Sequence, residues 1–134
     1  MKNRLALIIL IILLIILGFL SFIFFKNLNE KSNRDFNKVL TTMGEEIYSD
    51  YYYKIVSIGK TKQELEEYLK KFEKIGLKFN LTELEKYNEI FYNNIQDFSK
   101  KNSECSKDEV EVIIYPKAPY ENKDIDVKIN MNCN

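Results

Sequence analysis

"CSKDEVEVIIYPKAPYENKDIDVKINMNC", residues 105–133, sets two runs of alternating apolar residues on either side of a proline-bearing turn. "VEVIIY" (110–115) and "IDVKINM" (125–131) predict two strands, with Ile125, Val127, Ile129 and Met131 on one face of the second. Both prolines of the chain, Pro116 and Pro119, fall between the two runs, where a fixed φ and a missing donor do no harm to a ladder. Cys105 and Cys133 are equidistant from Pro119 in sequence, so a hairpin folding at that proline brings their sulfurs together. The spacing predicts a Cys105–Cys133 disulfide, and such bonds persist outside the cytoplasm. The competing reading is two free thiols in a reducing compartment.

Upstream of the hairpin the pattern is helical, with one short strand. Ser32 and Asp35 resemble a capping box opening an amphipathic helix. Projected at about 100° per residue, Phe36, Leu40, Met43, Tyr51 and Ile58 all fall within about 40° of Ile47, forming one apolar stripe. On this projection Tyr48 and Tyr52 border the stripe, while Tyr53 lies on the opposite side. Rim positions suit tyrosine, whose ring packs and whose hydroxyl stays wet. Gly59 ends this helix. Thr61 and Glu64 make a second capping box, followed by Leu65, Tyr68, Leu69, Phe72 and Ile75 at helical spacing, with Gly76 where a left-handed cap is wanted. "LKFNL" (77–81) alternates as a strand, and Thr82 with Glu85 signals a third helix carrying Leu84, Tyr87, Phe91, Ile95 and Phe98.

At the N-terminus, Leu5 to Phe25 is uncharged and spans about 31 Å as a helix, the thickness of a bilayer core. It is longer than the apolar part of a cleaved signal and lacks a small-residue cleavage site, so it reads as a retained signal anchor whose partner is the lipid bilayer. The expected organisation is a stub (1–4), an anchor (5–25), a neck or helix continuation (26–34), and one small domain (35–134). The fold class is therefore α+β: a transmembrane helix, about three further helices, and a short antiparallel sheet ending in the C-terminal hairpin. Loop charges on the two sides of the anchor are too similar to orient it. The cysteine pair favours a cytoplasmic N-terminus and an extracytoplasmic domain.

The chain has 20 basic and 20 acidic residues, and all of the acidic ones lie beyond the anchor. This balance gives no basic surface for nucleic acid. The chain has no histidine, which removes Ser-His and Cys-His nucleophiles, and its four dispersed glycines cannot cradle a phosphate. Adjacent carboxylates such as Glu45/Glu46 and Glu66/Glu67 read as solvated helix faces. No enzymatic activity, cofactor or metal is expected. A candidate binding surface is assigned to Tyr48, Tyr52, Tyr53, Tyr115 and Tyr120, and the expected function is to bind or scaffold another cell-envelope component. The PKAP segment (116–119) reads as a hairpin loop, and the NLT sequon at Asn80 as a coincidence.

An apolar N-terminal helix leading into an amphipathic one, followed by a small sheet with a C-terminal cysteine pair, resembles the layout of type IV pilins and pseudopilins. That resemblance implies a filament subunit. The start "LALIILIILL" departs from it, with neither the processing site nor the early glutamate of that family.

Overall fold

A computed structural model describes residues 2–133; the side chains of residues 2–8, 29, 30 and 32–34 are outside the description. The backbone divides into two compact units, one ending at Phe36 and the other beginning at Asn37.

The first unit is helical and belongs to α1 (Lys2–Glu46). Ile9–Leu28 is long and apolar enough to cross a membrane by length and composition. Its large side chains are exposed throughout, as lipid-facing positions would be. Ser21 returns its hydroxyl to the Leu17 carbonyl at 2.8 Å, which satisfies this polar side chain within the helix. Residues 26–34 continue the helix. The expected helix start at Ser32 is therefore corrected: an N-cap residue needs non-helical backbone, and here the backbone is helical on both sides.

The second unit is α+β, with the C-terminal turns of α1, a π-helical segment (Ile47–Tyr52), α2 (Tyr53–Ser57), α3 (Lys62–Lys70), α4 (Phe72–Ile75), β1 (Leu77–Asn80), α5 (Leu81–Leu84), α6 (Glu89–Lys101), β2 (Val110–Pro116) and β3 (Ile125–Met131). The strands form an antiparallel sheet in the order β1-β2-β3. Leu77 pairs with Ile114, and Val112 pairs with Ile129. Val110, Val112 and Ile114 bury their side chains on the helix-covered face, together with Leu40, Met43, Ile47, Leu69, Leu81, Leu84 and Ile95. Gly44 lies against Val112 and Val127, where an added Cβ would meet Val112 at 2.9 Å, so α1 approaches the sheet there at backbone distance. The opposite face is largely polar around the buried Ile113, with Lys117 paired to Asp126 and Asn130 to Glu111.

Several local expectations hold. Thr61 and Glu64 form a reciprocal capping box, and Cys105 and Cys133 are bonded, with Cα atoms 4.8 Å apart. Others are corrected. Gly76 has the positive φ of +71° expected of a cap, but its ψ of 159° is extended rather than left-handed helical, because the chain passes directly into β1. The third capping signal is displaced by two residues. Asn80, not Thr82, caps α5, exchanging hydrogen bonds with Glu83, while Thr82 turns its hydroxyl to Asp108. The run from Leu84 to Phe98 is split, since Asn88 caps a separate helix through the Phe91 N–H. Pro116 is the last residue of β2 rather than part of the turn. Its missing N–H costs no bond to β3, because even-numbered β2 residues point their backbone toward β1. Ile58 and Ile75, both placed in apolar stripes, are 75% and 63% exposed, each at the end of its helix.

The largest correction concerns the tyrosines. Residues 47–52 bond i→i+5, with the Tyr53 N–H reaching the Tyr48 carbonyl. Each turn there holds an extra residue, so a projection at about 100° per residue fails beyond Ile47. Tyr48, expected at a wet rim, is fully buried, and Tyr51, expected in the stripe, is 40% exposed with its ring edge-on to Tyr87.

Candidate functional site

The connection between β2 and β3 is tied at both ends. The Lys117 N–H donates to Asp124 O at 2.7 Å, the Tyr120 N–H to Lys117 O at 2.6 Å, and Asp124 Oδ2 accepts from the Glu121 N–H at 2.9 Å. The Ala118–Pro119 peptide is cis, and Tyr120 has φ +64°, uncommon for a bulky side chain. This conformation directs the Tyr120 hydroxyl to Glu73 Oε2, 2.9 Å away on α4. A positive φ at such a residue persists where the surrounding structure holds it in place, and here the loop's own hydrogen bonds and the Glu73 contact surround Tyr120.

Opposite the loop stands Tyr53, the first residue after the π-helical segment. Tyr53, Leu65, Glu66, Pro119, Tyr120 and Glu121, with Lys62 and Asn122, line a cavity of about 290 Å³. Behind Tyr53 lies Tyr48, its ring centroid 6.0 Å away. The Tyr48 hydroxyl is buried and makes no hydrogen bond. Burial pushes its pKa well above the ordinary tyrosine value, and the neighbouring Tyr53 and Asp124 push in the same direction. Burial also raises the Tyr53 pKa, helped by Glu121 and Asp124. Tyr120 is raised by desolvation, by its bond to Glu73, and by the charges of Glu73 and Glu66. The phenols therefore stay neutral at physiological pH, in a field set by Glu66, Glu73, Glu121 and Asp124 and opposed by Lys62. Ring faces beside carboxylates suit a cation: an ammonium or guanidinium group finds both a π-face and a counter-charge.

Of the five tyrosines singled out from sequence, the fold brings Tyr53 and Tyr120 to one cavity, with Tyr48 behind them. Tyr52 turns away, sharing a 3.1 Å hydroxyl contact with Tyr68 and packing edge-on to Phe72. Tyr115 sits on the polar sheet face with the Lys128 ammonium 5.2 Å from its ring centre. Sequence reasoning missed Glu66, Glu73 and Glu121. Glu66 reads as one of a solvated pair, and nothing local in the sequence announces that α3, α4 and the loop converge. Among the described residues, no three His, Cys, Asp or Glu side chains are grouped to hold a metal ion.

No protein-family model, curated protein or solved structure matches this chain.

Proposed function

We propose that this chain is a single-pass, signal-anchored protein of the cell envelope, with its N-terminus cytoplasmic and its disulfide-closed domain extracytoplasmic. It binds another envelope component rather than catalysing a reaction. The observation that carries this reading is the combination of a membrane-length apolar helix, Ile9–Leu28, with the Cys105–Cys133 bond in the domain that follows. The cavity at Tyr53 and Tyr120 supports the binding role, because its rings and carboxylates favour a cationic group on the partner.

Thiol labelling of intact cells with a membrane-impermeant maleimide, before and after an impermeant reductant, tests the topology. Labelling that appears only after reduction is the expected result. Labelling that appears only after lysis, without reductant, places free thiols in the cytoplasm and ends the proposal.

A second reading, a pilin-like filament subunit, is favoured by one observation: the backbone is helical without a break from Lys2 to Glu46, and the unit beginning at Asn37 carries an antiparallel sheet. Mass spectrometry of the mature N-terminus separates the two. Loss of the residues before Leu7 favours the filament subunit, and an intact Met1 favours the retained anchor.

A further inference from the structure

The outer edge of β3 is a pairing surface with a defined register. Lys117 donates to Asp124 O and Asn132 to Glu109 O, so the even-numbered residues of β3 bond to β2. The odd-numbered residues therefore direct their backbone groups outward. Among the described residues, Val127, Ile129 and Met131 find no backbone partner beyond the sheet. An edge of this kind is normally blunted by proline, a bulge, charged side chains, an inward charge or shortness. β3 has no proline, bulge or inward charge and runs seven residues in unbroken register; its charges, Asp126 and Lys128, lie on the polar face and are opposite in sign, so they deter a like-charged strand but not one that offers the reverse order. β1, the other edge, is four residues long and runs directly into α5. Ile125, Val127 and Ile129 face the helices yet remain only half-buried, so the apolar face of this strand is unfinished.

We propose that two copies of this chain join β3 to β3, antiparallel about a two-fold axis at Val127, and so continue the sheet across a homodimer. Three requirements select this partner and this register. Outward backbone groups on odd residues demand that odd residues face odd residues. A symmetric pair centred on Asp126 or Lys128 would set like charges directly opposite each other, which is unfavourable. Centring on Val127 places Asp126 of each copy opposite Lys128 of the other, twice by symmetry, while Ile125 meets Ile129 and Val127 meets Val127 on the helix-covered face. The strand is thus complementary to itself in hydrogen bonding, apolar pattern and charge. Its present partners leave both charges accessible: Asp126, in a 3.3 Å pair with Lys117, keeps its side chain 44% exposed, and Lys128 is exposed with its ammonium 5.2 Å from the Tyr115 ring centre.

The test uses the full chain purified in detergent, with association followed by sedimentation equilibrium. Asp126→Lys and Lys128→Glu are made singly and together. Each single reversal turns both cross-interface pairs repulsive and weakens dimerisation about 10-fold, and the double variant restores it to within about 3-fold. In the dimer, backbone N–H exchange at Val127 and Ile129 slows with rising protein concentration. A chain that stays monomeric at every concentration overturns the proposal, and this is also the result expected if the edge takes a strand from a different protein. A dimer indifferent to the single reversals, such as one held through the apolar part of α1, overturns it as well. Single variants that weaken a dimer which the double variant fails to restore refute the Val127 register.

Discussion

Replacing Cys105 and Cys133 together with alanine removes a crosslink that spans 28 positions of chain. In the chain-entropy model, a closed loop of that length restricts the unfolded ensemble by about 3.6 kcal/mol at 25 °C. A domain of this size holds roughly 5–15 kcal/mol in total, so the bond supplies about a quarter to three quarters of its stability. Alanine is the right replacement because Cys105 is buried, and a serine there would leave a hydroxyl in the core without a planned partner. Urea unfolding of the full chain in detergent, followed by the near-ultraviolet circular dichroism of the tyrosines, reads the change. At a slope of about 1–3 kcal/mol/M, the midpoint falls by roughly 1–4 M, and the slope itself rises slightly because the uncrosslinked chain exposes more surface. A loss below about 1 kcal/mol refutes the reasoning. It would mean that the β2–β3 segment stays closed on itself in the unfolded state, so that the bond restricts nothing.

Three further outcomes follow from named contacts. Tyr48→Phe deletes a buried hydroxyl that has no partner and should stabilise the domain by about 1 kcal/mol in thermal unfolding; a loss of that size would show that the hydroxyl is satisfied. Gly76→Ala introduces a Cβ at φ +71° against Ile113 and should cost about 2–3 kcal/mol, and a neutral result would show that the turn into β1 can relax. The folded pKa values of Tyr48 and Tyr52 are both raised, so the stability they contribute is complete below about pH 10 and is lost as pH rises through the higher folded values. Tyrosinate absorbance should therefore rise in two stages, the second coinciding with unfolding, and full titration near about pH 10 in a folded domain would contradict the burial of these rings.

What could be read from the sequence was what short-range chemistry decides. The β2–β3 hairpin follows from alternation around a turn, the Thr61–Glu64 box from two side chains three residues apart, and the apolar helix from an unbroken run. The cysteine pairing followed because the hairpin itself brings the sulfurs together. The π-helical segment was not legible, because nothing in "IYSDYY" requires i→i+5 bonding. The structure couples that bonding to burial: the extra residue per turn lets Tyr48 enter the core while Tyr52 reaches Tyr68 and Tyr53 faces the loop. The choice is thus made by tertiary packing acting on a helix whose local propensity permits either turn.

The same dependence explains why the candidate site was only half visible. Tyr53 was singled out because it fitted no core, and Tyr120 because it flanked a proline turn. Their meeting requires a contact from Tyr120 to Glu73, 47 positions apart in sequence, which no local pattern encodes. The β3 edge is the opposite case, since its self-complementarity is written in five consecutive residues, 125–129, as a palindrome of apolar character and charge about Val127. That palindrome acquires meaning only once the ladder shows which backbone groups point outward, because a shift by one residue would set Asp126 or Lys128 against its own kind. Backbone parity requires the two-fold to pass through a residue, and side-chain charge then chooses Val127 over its neighbours Asp126 and Lys128.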